Sequence, residues 1–378
     1  MAFTIHDIPT PCVLIDRPRA QANITRMQSL ASKHGRRLRP HAKTHKLPAI
    51  AKMQVEAGAT GICCAKLGEA EVFAEAGIKD IRLPYPVHPS KAARVVALLD
   101  KVTLSIIVDH PRIAEEWSAA MTAAGRVLPV LVKVDVGFHR CGVNPDSPAA
   151  LDLIESVATL PGLKLLGLLS HAGHAYHAAN EDALRQVARE EAETMTNLAE
   201  RAQARGVVID EISVGATPPA RFSMLEPGIT ELRPGNYVYN DRTQVGLGAA
   251  RLDDCALTVV ATVVSKPDAD RIILDSGTKT LSSDGARGFD STLAGQGAIF
   301  TTLDQIQLDA DLLIERLSEE HATVRVTSGQ TKLEPGDRVR IVPNHSCVVS
   351  NLVDEVHFTD GGNAILETVR VAARGKIV

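Results

Sequence analysis

The segment from Arg39 to Lys46 could do chemistry because it sets a lysine among histidines just after a short extended stretch. It reads Arg-Pro-His-Ala-Lys-Thr-His-Lys. Lys43 is expected at or near the C-terminal end of a strand, which is the catalytic face of a β/α barrel, and a lysine there can hold the aldehyde of a cofactor. A solvated cationic surface loop would have the same composition. The eight residues alone leave both interpretations open.

A histidine and a cysteine two residues apart, His345 and Cys347, could hold a metal ion. In an extended strand, residues i and i+2 point to the same side, so an imidazole and a thiolate can meet one ion. The pair suits zinc or another borderline metal better than magnesium, and two side chains leave coordination positions open for substrate oxygens. The alternative is a strand with a buried cysteine and an exposed histidine.

The elements that would position these residues alternate along the first part of the chain. From Pro11 to about Tyr239, short β-rich runs alternate with amphipathic helical stretches, the pattern of parallel strands joined by right-handed crossovers. The strand candidates are Arg37 to His41, Gly61 to Ala65, Ile81 to Tyr85, Ser105 to Asp109, Val130 to Val136, Leu165 to Ser170, Glu211 to Gly215 and Thr230 to Leu232. Eight such strands predict an α/β fold, a closed TIM-like (β/α)8 barrel with its site just past the strand ends.

After Asp241 the pattern changes to strands with few helices between them. The strand candidates there are Ala256 to Val264, Arg271 to Leu274, Ala322 to Thr327, Arg338 to Val342 and Ala364 to Val371. The sequence therefore predicts two domains: a cofactor-binding barrel over residues 1–245, and a smaller, mostly β domain over residues 246–378 that carries the candidate metal pair.

Composition excludes several classes of function. The 378 residues are 45% hydrophobic and 23% charged, which is ordinary for a soluble protein with a large core. A formal charge of −4 gives no broad basic field, so neither nucleic acid nor a membrane surface is expected as a partner. The chain has neither a signal-like N-terminus nor an apolar run of the ~20 residues that span a bilayer. Its six dispersed cysteines suit a reducing compartment, so a cytoplasmic location is expected.

Six segments in order resemble the fold-type III pyridoxal phosphate enzymes of the D-threonine aldolase and D-serine dehydratase family. They are RPHAKTHK (39–46), GICCAKLGEAEVFAEAGI (61–78), VDVGFHRCGV (134–143), SVGATP (213–218), ELRPGNYVYND (231–241) and PNHSC (343–347). The resemblance covers most of the chain and implies an alanine-racemase-like barrel followed by a β domain. It also implies pyridoxal 5'-phosphate on Lys43 and a divalent metal (Mn, Zn, Mg or Co) beside it, and we expect a homodimer.

The resemblance implies two neighbours for the cofactor ring. Arg140 matches an arginine that approaches the ring, where a fixed cation can pair with the phenolate oxygen. A strand-end salt bridge with Asp135 is the alternative interpretation. His41 would lie on the same face as Lys43 and resembles a cofactor neighbour, but it could equally be a core histidine.

Further residues are needed to bind the phosphate of the cofactor and to remove the proton from the reacting hydroxyl of the substrate. An anion can be held by the amide N–H groups of a tight turn, and Gly215, Ala216 and Thr217 could supply them, with Tyr239 as a second contact. The turn could also be an ordinary loop, and Tyr239 could simply pack. His171 and His174 follow a barrel strand, and either could take the proton from a metal-polarised β-hydroxyl or serve only a structural role.

The implied reaction is that of a lyase acting on small β-hydroxy-D-amino acids. Aldolases of the family commonly show His and Asp at the metal positions and dehydratases His and Cys, so Cys347 favours a dehydratase, whereas the GICCAK, VDVG and RCG segments favour an aldolase. We expect a D-threonine aldolase, forming glycine and an aldehyde, ahead of a D-serine or D-3-hydroxyaspartate dehydratase, forming a keto acid and ammonia. A non-catalytic pyridoxal phosphate carrier is the alternative from another functional class, but such carriers usually lack the second domain. An amino-acid racemase would leave the metal pair unexplained.

Overall fold

The first part of the chain alternates short strands with helices. In the computed structural model, which describes residues 3–289 and 292–378, its strands are β1 (Cys12–Asp16), β2 (Arg37–Leu38), β3 (Ile62–Cys63), β4 (Asp80–Pro86), β5 (Thr103–Val108), β6 (Leu128–Lys133), β7 (Leu163–Leu169), β8 (Glu211–Val214) and β9 (Glu231–Leu232). Its α-helices are α1 (Arg17–Lys33), α2 (Pro48–Glu56), α3 (Leu67–Glu75), α4 (Ala92–Leu99), α5 (Pro111–Ala124), α6 (Pro148–Thr159), α7 (Glu181–Ala204), α8 (Ala220–Ser223) and α9 (Arg242–Gly246). Strands β2 to β9 are all parallel and stand in the order β2-β9-β8-β7-β6-β5-β4-β3. The predicted barrel fold is confirmed.

The barrel closes beside the lysine segment. The amide of Cys63 on β3 donates to the carbonyl of Pro40, 2.8 Å away, and His41 pairs with Cys63 in parallel register. The predicted strand from Arg37 to His41 is only two residues long because Pro40 has no N–H to continue the ladder and the chain turns into a 3-10 helix at Ala42–Thr44. The closure therefore brings the end of β2 to the rim of the barrel.

The barrel interior contains a buried ion-pair network centred on Glu231 of β9. Its carboxylate accepts a hydrogen bond of 2.6 Å from Arg82 on β4 and one of 2.9 Å from Arg39, which follows β2. Ser213 on β8 donates a third, 2.6 Å long. Burial alone would raise the pKa of Glu231, but the two guanidinium groups outweigh it and lower the pKa to about 2. Arg82 also pairs with Glu211 on β8. Charged side chains therefore join β4, β8 and β9 inside the barrel.

The second sheet is almost entirely antiparallel. Its strands, besides β1, are β10 (Leu257–Asp268), β11 (Arg271–Leu274), β14 (Ala298–Phe300), β15 (Leu308–Leu317), β16 (Ala322–Val326), β17 (Arg338–Val342), β18 (Glu355–Thr359) and β19 (Ile365–Arg370), in the order β11-β16-β15-β14-β17-β10-β1-β18-β19. Helices α10 (Thr278–Leu281) and α11 (Ser346–Leu352) and the small hairpin of β12 (Ala286–Arg287) and β13 (Thr292–Leu293) lie between them in sequence. The predicted mostly β second part is confirmed.

Strand β1 comes from the start of the chain but belongs to this second sheet. It lies antiparallel to β10 and parallel to β18, filling the space between two strands from the other end of the sequence. The division into residues 1–245 and 246–378 stays a prediction, with the finding that residues 12–16 pair with the strands that follow residue 256.

Two hydrophobic cores meet beneath the lysine segment. One fills the space between the barrel strands and their helices and includes Trp117 and Phe73. The other lies under the second sheet and takes in Leu47 and Ile50, which immediately follow the lysine segment. The segment is therefore held by barrel strands on its N-terminal side and by the second core on its C-terminal side.

Helix α7, with 24 residues, carries charged residues along its whole length. In the part of the chain that the structure describes, no helix combines the length and the apolar character that crossing a membrane requires.

Glu231→Gln is expected to destabilise the protein by about 3–5 kcal/mol, because it leaves two buried arginines with less compensating charge. The free energy of unfolding, taken from urea denaturation at pH 7, measures the loss.

Glu315→Gln is the matched control. Glu315 forms an ion pair with Arg325 on the surface of the second sheet, with about half of each side chain exposed, and should leave the free energy of unfolding almost unchanged. Equal effects of the two substitutions would contradict a central role for the Glu231 network.

Candidate active site

The lysine segment turns sharply at the end of the barrel so that Lys43 faces open space. Ala42–Thr44 form a single 3-10 turn, and the His41 ring nitrogen Nδ1 accepts the Lys43 amide N–H at 3.3 Å, which caps that turn. Burial, followed by the charges of Lys43 and Arg233, holds the pKa of His41 well below its ordinary value. His41 is therefore a neutral acceptor, and its role in shaping the turn is visible in the structure.

The far side of the turn is held by a buried ion pair. Lys46 adopts a left-handed backbone conformation (φ 53°), which is uncommon for a residue with a side chain. Its ammonium lies 3.0 Å from the carboxylate of Glu69, whose other oxygen accepts the amide N–H of Ala65 at 2.6 Å. The Lys46 turn is thereby tied to the loop that follows β3.

Arg140 and His171 stand next to each other on the loops that follow β6 and β7. The guanidinium of Arg140 lies over the ring of Phe138, 5.1 Å from its centroid, and the same ring meets His171 edge to face at 5.7 Å. Within residues 3–289 and 292–378, Arg140 forms no salt bridge, and the Asp135 carboxylate instead accepts hydrogen bonds from His139 and Gly137. The cation is thus available for a ligand.

The protonation of His171 is set by its surroundings. Its Nδ1 lies 2.9 Å from the carbonyl oxygen of Gly215, so the proton sits on Nδ1 and donates to that oxygen. Burial, and then the neighbouring charges of Lys43, Lys133 and Arg140, hold the pKa of His171 well below its ordinary value. His171 is therefore neutral, with the lone pair of Nε2 free to accept a proton.

Three buried polar atoms around the cavity lack a hydrogen-bond partner in the described part of the chain. They are the hydroxyl of Thr217 and the side-chain oxygens of Asn236 and Gln244. The backbone of Gly235 packs closely against Thr44, because a Cβ added to this glycine would lie only 2.9 Å from the Thr44 hydroxyl. Buried polar atoms normally have partners. The Thr217 hydroxyl can donate to an anionic oxygen such as that of a phosphate, whereas the amide oxygens of Asn236 and Gln244 fit a ligand group that donates.

His345 and Cys347 reach the cavity from the second sheet. The Cys347 sulfur lies 3.2 Å from the Thr44 hydroxyl, one residue from Lys43. Burial would raise the pKa of the Cys347 thiol, but His345 and Lys43 outweigh it and lower the pKa. Burial would lower the pKa of His345, but Cys347, Asp241 and Asp284 outweigh it and raise the pKa to about 10.

The pair does not lie on a strand, contrary to the prediction. His345 is the residue before helix α11, and Cys347 lies in its first turn. The Nδ1 atom of His345 is 2.7 Å from the Asp284 carboxylate, so a metal would bind at Nε2, in place of the proton that the raised pKa keeps on the ring. Among the described residues, no group of three or more His, Cys, Asp or Glu side chains is arranged to hold a metal ion, so an ion here would have two protein ligands and open positions.

Asp241 fixes the start of α11 against the barrel. Its fully buried carboxylate accepts hydrogen bonds from the Asn236 amide at 2.6 Å, from the Ser346 backbone N–H at 3.0 Å and from the Gln244 backbone N–H at 3.0 Å. The barrel loop after β9 and the turn that carries His345 and Cys347 therefore share one acceptor.

These groups surround one cavity of about 520 Å³ at the C-terminal end of the barrel. Of the residues predicted from sequence, the structure brings together His41, Lys43, Arg140, His171, Ala216, Thr217, His345 and Cys347. Gly215 lies just behind them, its carbonyl oxygen on His171.

Two predicted residues lie elsewhere. His174 does not line the cavity, because the 3-10 turn Gly173–His177 carries its ring to Gly137 instead. Tyr239 is fully buried in the core of the second sheet and does not line the cavity either. Neither is retained as a base or a phosphate contact.

Sequence reasoning missed several cavity residues. Arg233 and Asp241 lie within the ELRPGNYVYND segment, and Tyr176 lies two residues after His174. The sequence drew attention to these segments but did not show which of their side chains face the cavity. Asp284 and Arg287 come from a Ser- and Gly-rich stretch of the second part that carried no signal.

Comparison with known proteins identifies both parts of the chain. The family described as "Alanine racemase, N-terminal domain" matches residues 15–243, and "Putative serine dehydratase domain" matches residues 256–359. The chain is 34% identical to D-threonine aldolase of Arthrobacter sp over 97% of its length and 93% of that protein. It is 32% identical to D-threo-3-hydroxyaspartate dehydratase of Delftia sp. over 92% of its length and 93% of that protein.

A solved structure is similar over nearly the whole fold. It is a cysteine-to-alanine mutant of D-threo-3-hydroxyaspartate dehydratase in the metal-free form. It superposes with a TM-score of 0.88 at 31% identity, covering 97% of this chain and 99% of that one.

His45, buried in the lysine segment, should make stability depend on pH. Burial lowers its pKa to about 3, whereas an unfolded histidine titrates near 6.5. As the pH falls below about 6.5, the unfolded state takes up a proton that the folded state does not, so His45 should cost about 1.4 kcal/mol of stability per pH unit. Urea denaturation between pH 8 and pH 5 measures the slope.

His45→Asn should flatten that slope, because an asparagine oxygen can still accept the Leu47 N–H that His45 Nδ1 accepts at 3.0 Å. Above pH 7 the slopes of the two proteins should agree. An unchanged slope below pH 6.5 in the variant would show that His45 is not the titrating group.

Proposed function

Since the chain belongs to the family of the alanine racemase N-terminal domain, we propose that it is a lyase acting on β-hydroxy-D-amino acids with pyridoxal 5'-phosphate and a divalent metal. Its relatives are D-threonine aldolase and the D-serine and 3-hydroxyaspartate dehydratases and aldolases. Within that group we propose aldol cleavage, as by a D-threonine aldolase. The chain is proposed to work as a homodimer on a small-molecule substrate.

The observation that carries the proposal is the contact of Cys347 with Thr44. At 3.2 Å it sets the metal-ligand candidates beside the lysine segment, so one small substrate can reach both. A β-hydroxy amino acid has its amine and its hydroxyl on adjacent carbons. This short separation matches the short distance between the lysine segment and the candidate metal ligands.

Lys43 is proposed to hold the cofactor aldehyde, with Arg140 at the phenolate oxygen and Ala216 and Thr217 at the phosphate. Arg140 has no competing carboxylate in the described residues, and the Thr217 hydroxyl lacks a partner. Pyridoxal phosphate bound there would supply an electron sink for the bond that breaks at the substrate Cα.

His345 and Cys347 are proposed to hold the metal through Nε2 and the sulfur. An ion there would polarise the substrate hydroxyl and make its proton easier to remove. The lowered pKa of the Cys347 thiol favours the thiolate form that a metal requires.

His171 is proposed as the base that removes the hydroxyl proton. It is neutral, its Nδ1 proton is held by the Gly215 carbonyl oxygen, and its Nε2 can therefore accept a proton. Contacts to the amine and to the hydroxyl alone leave the configuration at Cα open, and a third contact, through the substrate carboxylate, is needed to select one configuration. The named relatives indicate the D configuration.

Dehydration is the second candidate, favoured by Cys347. The residue matches the His and Cys pair that the resemblance associates with dehydratases, and relatives matched over more than nine tenths of their length include dehydratases. Elimination needs a base at the Cα hydrogen, whereas cleavage needs one at the hydroxyl.

The wild-type protein should convert D-threonine to glycine and acetaldehyde and leave L-threonine unchanged. Lys43→Ala should lose both this activity and the borohydride-reducible lysine adduct, because no other cavity residue among those described is a lysine. Chromatography of the products and mass spectrometry of the reduced protein provide the measurements.

Lys91→Ala, at a surface 3-10 turn, is the control and should retain both properties. Turnover of L-threonine at a comparable rate would contradict the proposed D configuration. Formation of 2-oxobutanoate and ammonia would identify a dehydratase instead.

His345→Ala and Cys347→Ser should each weaken metal binding by roughly 100-fold or more, because each removes one of only two protein ligands. Metal content by elemental analysis, before and after dialysis against a chelator, gives the measurement. Cys141→Ser, a partly exposed cysteine outside the cavity, should keep the metal. Full activity of exhaustively chelated wild-type protein would overturn the metal assignment.

A further inference from the structure

Arg287 lines the cavity from the side of the second sheet. It belongs to the short segment of Ser283, Asp284, Gly285 and Arg287 that faces the barrel loops across the site. Asp284 in this segment touches His345, so Arg287 stands on the side of the cavity where the substrate hydroxyl is proposed to bind.

The backbone of Arg287 is held in place by the end of the barrel. Its N–H donates to the Thr243 hydroxyl at 3.3 Å, and its carbonyl oxygen lies so close to Gly246 that a Cβ there would collide with it. It also pairs with residue 292 in the β12 and β13 hairpin. The side chain therefore starts from a fixed position, although the residue itself is exposed.

The other charged groups of the cavity already have partners or assigned roles. Arg233 donates to the Ser213 hydroxyl at 2.7 Å and to the carbonyl of Ser170. Asp284 is engaged by His345, and the Asp241 carboxylate is fully used by its hydrogen bonds. Lys43 and Arg140 are the groups proposed to bind the cofactor.

Arg287 differs from these groups. Within residues 3–289 and 292–378, its guanidinium has no carboxylate within ion-pair distance. A cation in a cavity that is fixed at its backbone and lacks an anionic partner fits an anionic ligand, and a guanidinium matches a carboxylate through two parallel hydrogen bonds.

We propose that Arg287 binds a carboxylate of the substrate. The inference rests on the proposed function, because it takes the ligand to be an amino acid bound through its amine. The carboxylate could be the α-carboxylate, common to every amino acid, or a second one on Cβ, as in 3-hydroxyaspartate. Both sources offer the same chemistry to the guanidinium.

Three amines that lack a β-hydroxyl separate these cases: D-alaninamide, D-alanine and D-aspartate, with no, one and two carboxylates. Each is titrated into the cofactor-loaded protein, and the change in cofactor absorbance gives a Kd without turnover. Arg287→Ala should raise the Kd of D-aspartate about tenfold or more, with or without a like loss for D-alanine, and leave that of D-alaninamide unchanged. Arg287→Lys keeps the positive charge but not the paired N–H donors of the guanidinium. Its Kd values for the carboxylate-bearing amines should lie between those of the wild-type protein and Arg287→Ala.

The pattern of losses identifies the carboxylate. Equal losses for D-alanine and D-aspartate assign Arg287 to the α-carboxylate, and a loss for D-aspartate alone assigns it to the side chain. Arg325→Ala, on the surface of the second sheet, is the control and should change no Kd. Arg287→Ala with the wild-type Kd for all three amines would overturn the proposal while leaving the proposed function intact. A wild-type spectrum that none of the amines changes would contradict both.

Discussion

The buried carboxylate of Glu231 is the interaction on which the site most depends. A barrel of two- to seven-residue strands has little room for a long hydrogen-bonded ladder, and Glu231 on β9 adds a contact to Arg82 on β4, a strand that is not its neighbour. Its arginine partners come from β4 and from the end of β2. Ser213, which donates to it, also accepts from Arg233 at the base of the cavity. Hydrogen bonds through Ser213 thus connect the charge network inside the barrel with the polar groups of the site.

The cavity itself is shared between the two parts of the chain. The barrel loops supply Lys43, Arg140 and His171, and the second part of the chain supplies His345 and Cys347 from the start of α11. Asp241 and Thr44 make the connection, each through a contact across the boundary. Because one buried carboxylate caps the helix that carries the pair, a shift of one part relative to the other would break several hydrogen bonds at once.

Much of this architecture could be predicted from the sequence. Hydrophobic periodicity located all eight barrel strands to within a few residues, since buried parallel strands leave short apolar runs between turn residues. Strand β15 was missed because Asp309, Asp311 and Glu315 interrupt its apolar residues. Strand β1 lay in a recognisably apolar stretch, but its partners are more than 200 residues away and local patterns carry no information about them.

The end of the barrel was predicted as the site, but the direction of each side chain was not. Lys43 and His174 both lie in 3-10 turns that follow barrel strands, and the first turn directs its lysine into the cavity whereas the second carries its histidine to Gly137. The strand expected at His345 is the start of a helix, and the pair still meets because Asp241 fixes that helix turn. Arg287 reaches the cavity only through tertiary packing, which a single sequence does not encode locally.

The placement of β1 has a consequence for how the chain folds during synthesis. Cys12 pairs with Val260, and Leu14 pairs with His357, so β1 must wait for partners that are made more than 200 residues later. The barrel strands, whose neighbours lie mostly within a few dozen residues, can pair first. Until the ribosome has released the second sheet, an apolar strand stays unpaired at the edge of a nearly finished barrel, and an unpaired strand of this kind is open to pairing with another chain. Because β1 pairs with strands from a distant part of the sequence, its addition to the sheet is a late, non-local folding step. Until that step, the unpaired strand is prone to aggregation.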